Sequence, residues 1–170
     1  MITHFYLTLQ ARRLAILAGP PQSGKIALVH SLAQVLTGGD PLQCQMMVGH
    51  AWWAGRSGDV GFFTQAQTRF NSAKILALVE EALQPENAQR VYIACLTRIS
   101  PAEVISFFSE IALQLQHGQL IRLPGVHLTQ PIPYPPNLLL IGTMDTTQSD
   151  WADANLLSGE AVIYLANGLN

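Results

Sequence analysis

Apolar residues along this chain fall into two spacings. Short, nearly unbroken runs of strand length recur at Leu14–Gly19, Gln43–Gly49, Val91–Leu96, Leu138–Ile141 and Ala161–Leu165. Between them, apolar residues recur every three or four positions, the spacing of a helix with one buried face. Leu28, Leu32, Val35 and Leu36 give such a stripe to Gly24–Leu36. Ile75, Leu78, Val79 and Ala82 give one to Ser72–Leu83, and Val104, Phe107, Phe108, Ile111 and Leu115 one to Pro101–Gln116. Met1–Arg13 reads as a further short helix leading into the first strand.

Breakers fall where these elements should end. Thr37-Gly38-Gly39-Asp40-Pro41 and Pro85-Glu86-Asn87 each follow a helix, and Pro101 suits a first helical turn. His50–Phe70 reads as irregular, Gln119–Pro136 as an extended, proline-rich insertion with a small hairpin, and Asp150–Leu157 as a short helix. Strands alternating with helices predict an α/β fold with a parallel, doubly wound sheet covered on both faces.

Composition narrows the picture. The 170 residues suit a single domain spanning 1–170. Hydrophobic residues make up 49% and charged residues only 12%, so the core is large and the surface poor in charge. Such a surface implies cover from a protein partner or from other domains of a longer protein. The net charge of −2 and the lack of a basic block argue against direct nucleic-acid binding. No apolar run approaches the ~20 residues that span a bilayer. The N-terminus lacks the charged start and apolar core of a signal peptide, which makes the cytoplasm the expected compartment. Cys44 and Cys95 lie in separate apolar runs and read as buried thiols.

The chemistry gathers at Leu14–Leu36, LAILAGPPQSGKIALVHSLAQVL. An apolar strand turns through Gly19-Pro20-Pro21-Gln22-Ser23-Gly24-Lys25 into a helix. Gly19, Gly24 and Lys25 satisfy G-x-x-x-x-G-K, the phosphate-binding P-loop pattern. Backbone N–H groups at such a loop and at the helix N-terminus face phosphate, and the lysine reaches the terminal groups. The next position ordinarily holds the Ser or Thr whose hydroxyl ligates Mg²⁺; here it is Ile26. Gln22 replaces a frequent second glycine.

Ile132–Thr147, IPYPPNLLLIGTMDTT, resembles the fourth-strand segment of AAA+ nucleoside triphosphatases of the McrB-like and dynein-related branch. There a proline-rich lead-in precedes an apolar strand ending in Gly-Thr-Met-Asn-Thr, whose Asn reads the γ-phosphate. Asp145 stands at that position. Trp53–Phe70 is similar to the family's loop after strand two, with matches at Asp59, Gly61, Phe62, Arg69 and Phe70. Val91–Arg98 aligns with its Walker B strand. Only Arg98 survives: Ala94 takes the place of the metal-organising Asp and Cys95 that of the catalytic Glu.

The resemblance implies a three-layer αβα sandwich with strand order 5-1-4-3-2. It implies an AAA+ core without its helical lid, and the arginines after the fourth strand are missing. Function follows in kind. The module is expected to bind ATP or GTP through Gly19–Ile26 and to hydrolyse it poorly or not at all. Mg²⁺ would be liganded weakly or not at all by the protein. The role would be structural or regulatory, beside a partner. Removing one transition-state group commonly costs about two to three decades in rate, and Ile26, Ala94, Cys95 and Asp145 together remove four. Two alternatives stand beside this. One is an active enzyme with displaced groups, Glu103 or Glu110 as base and Asp59 or Asp145 as metal ligand. The other is a scaffold without ligand, its loop closed by Pro20-Pro21-Gln22.

Overall fold

The structure, a computed structural model, describes residues 2–49, 60–100, 103–118, 120–127, 130–147 and 163–165. Four strands build a parallel sheet: β1 (Leu14–Gly19), β2 (Cys44–Val48), β3 (Tyr92–Thr97) and β6 (Leu138–Asp145). A three-residue strand, β7 (Ile163–Leu165), joins parallel to β1. The spatial order is β2-β3-β6-β1-β7. A separate antiparallel pair, β4 (Leu120–Ile121) with β5 (Ile132–Pro133), forms the small hairpin expected of the proline-rich insertion.

β1 and β3 are buried at every residue, which is why their sequences are apolar without alternation. Their two faces serve two cores. Leu14, Ile16 and Ala18, with Tyr92, Ala94, Leu96, Leu138 and Leu140, pack under α3 (Val60–Ala82), a π-helical stretch (Val104–Ser109) and α4 (Glu110–His117). Ala15 and Leu17, with Ile93, Cys95, Leu139 and Ile141, pack under α1 (Ile2–Arg12) and α2 (Lys25–Thr37). The alternation of side chains along each strand thus seats helices on both faces, as the sequence pattern predicts.

Three expectations need correction. Val60–Phe70 is not irregular but the first half of α3, which runs unbroken to Ala82. Tertiary bonds anchor this helix: the Gln67 and Asn71 amides donate to Val48 O at 3.1 and 2.9 Å, and Ser72 Oγ donates to Pro124 O at 2.6 Å. The helix carrying Phe107 and Phe108 is not regular. It widens to π geometry there, and both rings are completely buried. β6 runs four residues past Ile141, to Asp145. The readings on Trp53–Asp59, Pro101 and Asp150–Leu157 lie outside the described residues. Among the described residues, no helix is long and apolar enough to cross a membrane.

Candidate functional site

At the C-terminal end of β1 the chain leaves the sheet through Pro20–Ser23 and enters α2 at Lys25. Gln22 and Gly24 take left-handed backbone angles, φ 61° and 84°. Gly24 accepts the first α2 bond, from Leu28 N–H at 2.9 Å. Glycine adopts that conformation freely, whereas glutamine carries a cost of about 1 kcal/mol. The Lys25 ammonium folds back over the loop. It donates to Gly19 O at 2.8 Å, Pro20 O at 2.6 Å and Ser23 Oγ at 3.1 Å. Desolvation lowers its pKa, and the nearby Asp145 carboxylate raises it in part.

The opposing wall comes from the ends of β6 and β3. Gly19 lies in register with Asp145, and Thr146 N–H donates to Gly19 O at 3.2 Å, tying the two strand exits together. Asp145 Oδ1 accepts from Thr147 N–H at 2.9 Å and Thr147 Oγ1 at 2.8 Å, which fixes the carboxylate in a local turn. Beside it, Arg98 ends β3 with φ 55°. Its N–H donates to Thr143 Oγ1 at 3.2 Å, and Ile99 N–H to Thr143 O at 2.9 Å. Gly142 makes this approach feasible: a Cβ there would stand 2.6 Å from Ile99 Cδ1 and 2.8 Å from the Phe108 ring.

Between the two walls lies a cleft of about 660 Å³. Residues 21–27 line one side; Arg98, Thr143, Met144 and Asp145 line the other. Of the sequence-predicted loop residues, Pro21, Gln22, Ser23, Gly24, Lys25 and Ile26 border the cleft. Gly19 and Pro20 contribute through the carbonyls that hold Lys25. Ile26 sits at the rim with 41% of its surface exposed.

Ala94 and Cys95 stand elsewhere. Both are completely buried in mid-strand, on opposite faces of the sheet, paired with Leu140 and Ile141. The cleft lining on β6 begins at Thr143, and β3 reaches the cleft only with Arg98. Burial pushes the Cys95 thiol far above its ordinary pKa, so it is an inert core group. Glu103 is not a solvated charge: it is buried, and its Oε2 accepts from both N–H and Oγ of Ser100 in a capping-box arrangement. Glu110 is exposed on its helix, and Asp59 lies outside the described residues.

Side-chain oxygens in the described lining come from Gln22, Ser23, Thr143 and Asp145, with one carboxylate among them. Among the described residues, no group of three or more His, Cys, Asp or Glu gathers to hold a metal. Ile26 offers no oxygen where the resemblance places a hydroxyl, and Ala94 lies too deep to offer one if replaced. With Asp145 the one carboxylate of the described lining, a Mg²⁺ ion arriving with a polyphosphate would take most of its ligands from phosphate and water. No protein-family model matches this chain, and no curated protein matches it.

The P-loop motif finds one wall of the cleft, and the resemblances at Ile132–Thr147 and Val91–Arg98 point to Asp145 and Arg98 on the other. Arg98, Thr143 and Met144 belong to the other wall, and of these only Arg98 carries a full charge. The sequence signal for Arg98 is its match to the arginine that follows the resembled Walker B strand, the one position of Val91–Arg98 that keeps the expected residue.

Proposed function

We propose that this chain is a P-loop module of AAA+ type that binds a nucleoside triphosphate, ATP or GTP, and hydrolyses it poorly or not at all. One observation carries the reading. A strand, a left-handed loop and a helix deliver Lys25 to a cleft whose far wall is built from the ends of two neighbouring parallel strands. Ligands of open parallel sheets bind beyond the carboxyl ends of the strands, and a helix N-terminus with oriented N–H groups favours phosphate. The strand order also supports it: β1 lies between β6 and β7, and β3 separates β6 from β2. In the numbering of the five apolar runs this reads 5-1-4-3-2.

Weak turnover follows from the lining. Hydrolysis needs a base for the attacking water and a stabiliser of developing charge. Asp145 is the one carboxylate in the described lining, and Thr147 already occupies one of its oxygens. A module of this kind acts by its bound state, as a structural or regulatory unit beside a partner.

Titration calorimetry with non-hydrolysable ATP and GTP analogues tests the reading. Binding of at least one is expected, weakened by less than about tenfold (~1.4 kcal/mol) when EDTA replaces Mg²⁺. Lys25→Ala should lower affinity by at least about a hundredfold, ~2.7 kcal/mol. Unchanged affinity in that variant would remove the P-loop assignment.

A further inference from the structure

A polyphosphate brings three or four negative charges, and among the described residues the cleft lining offers a metal counterion one carboxylate, Asp145. Among the described residues two cations border it, Lys25 and Arg98. They come from different walls, one from the helix start and the other from the end of β3. Among the described residues, the Arg98 guanidinium makes no hydrogen bond, ion pair or ring contact, and the side chain is exposed. Its backbone, by contrast, is pinned. Arg98 N–H is held by Thr143 Oγ1, Gly49 N–H donates to Thr97 O at 2.7 Å, and Ile99 N–H is held by Thr143 O. A pinned left-handed turn therefore places Arg98, with its side chain exposed, on the wall of an anion-sized opening.

We propose that Arg98 takes the place of the metal ion: the cleft binds a polyphosphate as a metal-free anion, clamped between Lys25 and Arg98. The inference rests on the phosphate-binding reading of the P-loop and adds the group that makes binding independent of Mg²⁺. Guanidinium suits the task. It stays charged at any working pH, is weakly hydrated, and meets two phosphate oxygens at once. Across a water-filled cleft a unit charge near 4 Å contributes about 1–4 kcal/mol. Asp145 sits on the same wall and disfavours a second anionic layer, so it limits how much negative charge the clamp accepts.

The test uses the full chain with two probes, ATP and inorganic tripolyphosphate, each titrated in EDTA and in excess Mg²⁺. Arg98→Ala should weaken binding in EDTA by about tenfold or more. In Mg²⁺ the loss should shrink to about threefold or less, because the ion then supplies the missing charge. Arg98→Asn, which tolerates the left-handed backbone, should behave like Arg98→Ala, and Arg98→Lys should keep most of the affinity. The probe that shows this pattern distinguishes a nucleotide from an inorganic polyphosphate as the ligand. An equal loss with and without Mg²⁺, or no loss, overturns the role of Arg98. If Lys25→Ala abolishes binding while Arg98→Ala does not, the P-loop reading stands and only this inference falls. If neither probe binds, both fall.

Discussion

The exits of β1 and β3 turn on non-glycine residues in the left-handed region, Gln22 and Arg98, and each brings one cation to the same cleft. They treat that cation in opposite ways. Lys25 is held by two carbonyls and a hydroxyl of its own loop. Arg98 is held by its backbone, and among the described residues its head group has no partner. Among the described residues, an incoming anion must compete with three existing hydrogen bonds for the lysine and with none for the arginine. The lysine is thus stored and the arginine presented. The sequence marks both, Lys25 within a local loop motif and Arg98 as the surviving position of Val91–Arg98, but does not tell which head group is already engaged.

The strongest way to break this contrast is to place a metal carboxylate on β3. Ala94→Asp buries an acid among Leu14, Leu96 and Leu140 without reaching the cleft. A loss of at least about 3 kcal/mol is expected in denaturant unfolding. Ile26→Thr, at the exposed rim, should leave stability within about 0.5 kcal/mol and raise the dependence of nucleotide affinity on Mg²⁺. If Ala94→Asp folds as well as the parent and binds Mg²⁺, then β3 meets the cleft higher up than described.

Gly142→Ala acts on the β3 exit from beneath. Its methyl would push on Ile99 and the Phe108 ring, at a cost of about 1–3 kcal/mol, read from the unfolding midpoint. Because Ile99 follows Arg98, the variant should also weaken the Arg98 contribution in EDTA while sparing that of Lys25. Equal damage to both would mean that the two exits move as one unit.

Asp145→Asn is the gentlest probe. Removing the carboxylate should raise polyphosphate affinity near neutral pH by less than about tenfold. It also removes the charge that raises the Lys25 pKa, leaving desolvation, which lowers it, unopposed. The cationic lysine is the binding form, so affinity is lost as pH rises through its pKa. That alkaline loss should begin at a lower pH in the variant than in the parent. A shift to higher pH would mean that Asp145 does not act on Lys25.

Much of the fold was legible in the residues. The unbroken apolar runs of β1 and β3 require cover on both faces, and the helical stripes, down to Val104, Phe107, Phe108 and Ile111, supply it. Gly19, Gly24 and Lys25 likewise carry their own geometry, because a strand, a loop and a helix adjacent in sequence stay adjacent in space. Tertiary structure decided what depends on contacts between distant segments. Val60–Phe70 is helical, and Gln67 and Asn71 tie that helix to Val48 O across the fold. Glu103 became a buried cap through Ser100. Ala94 and Cys95 became core, and Arg98 the cleft residue, because parallel register sets how far each strand reaches past its neighbour. That register is fixed by pairing between residues some fifty positions apart, such as Leu96 with Gly142, and no local pattern encodes it.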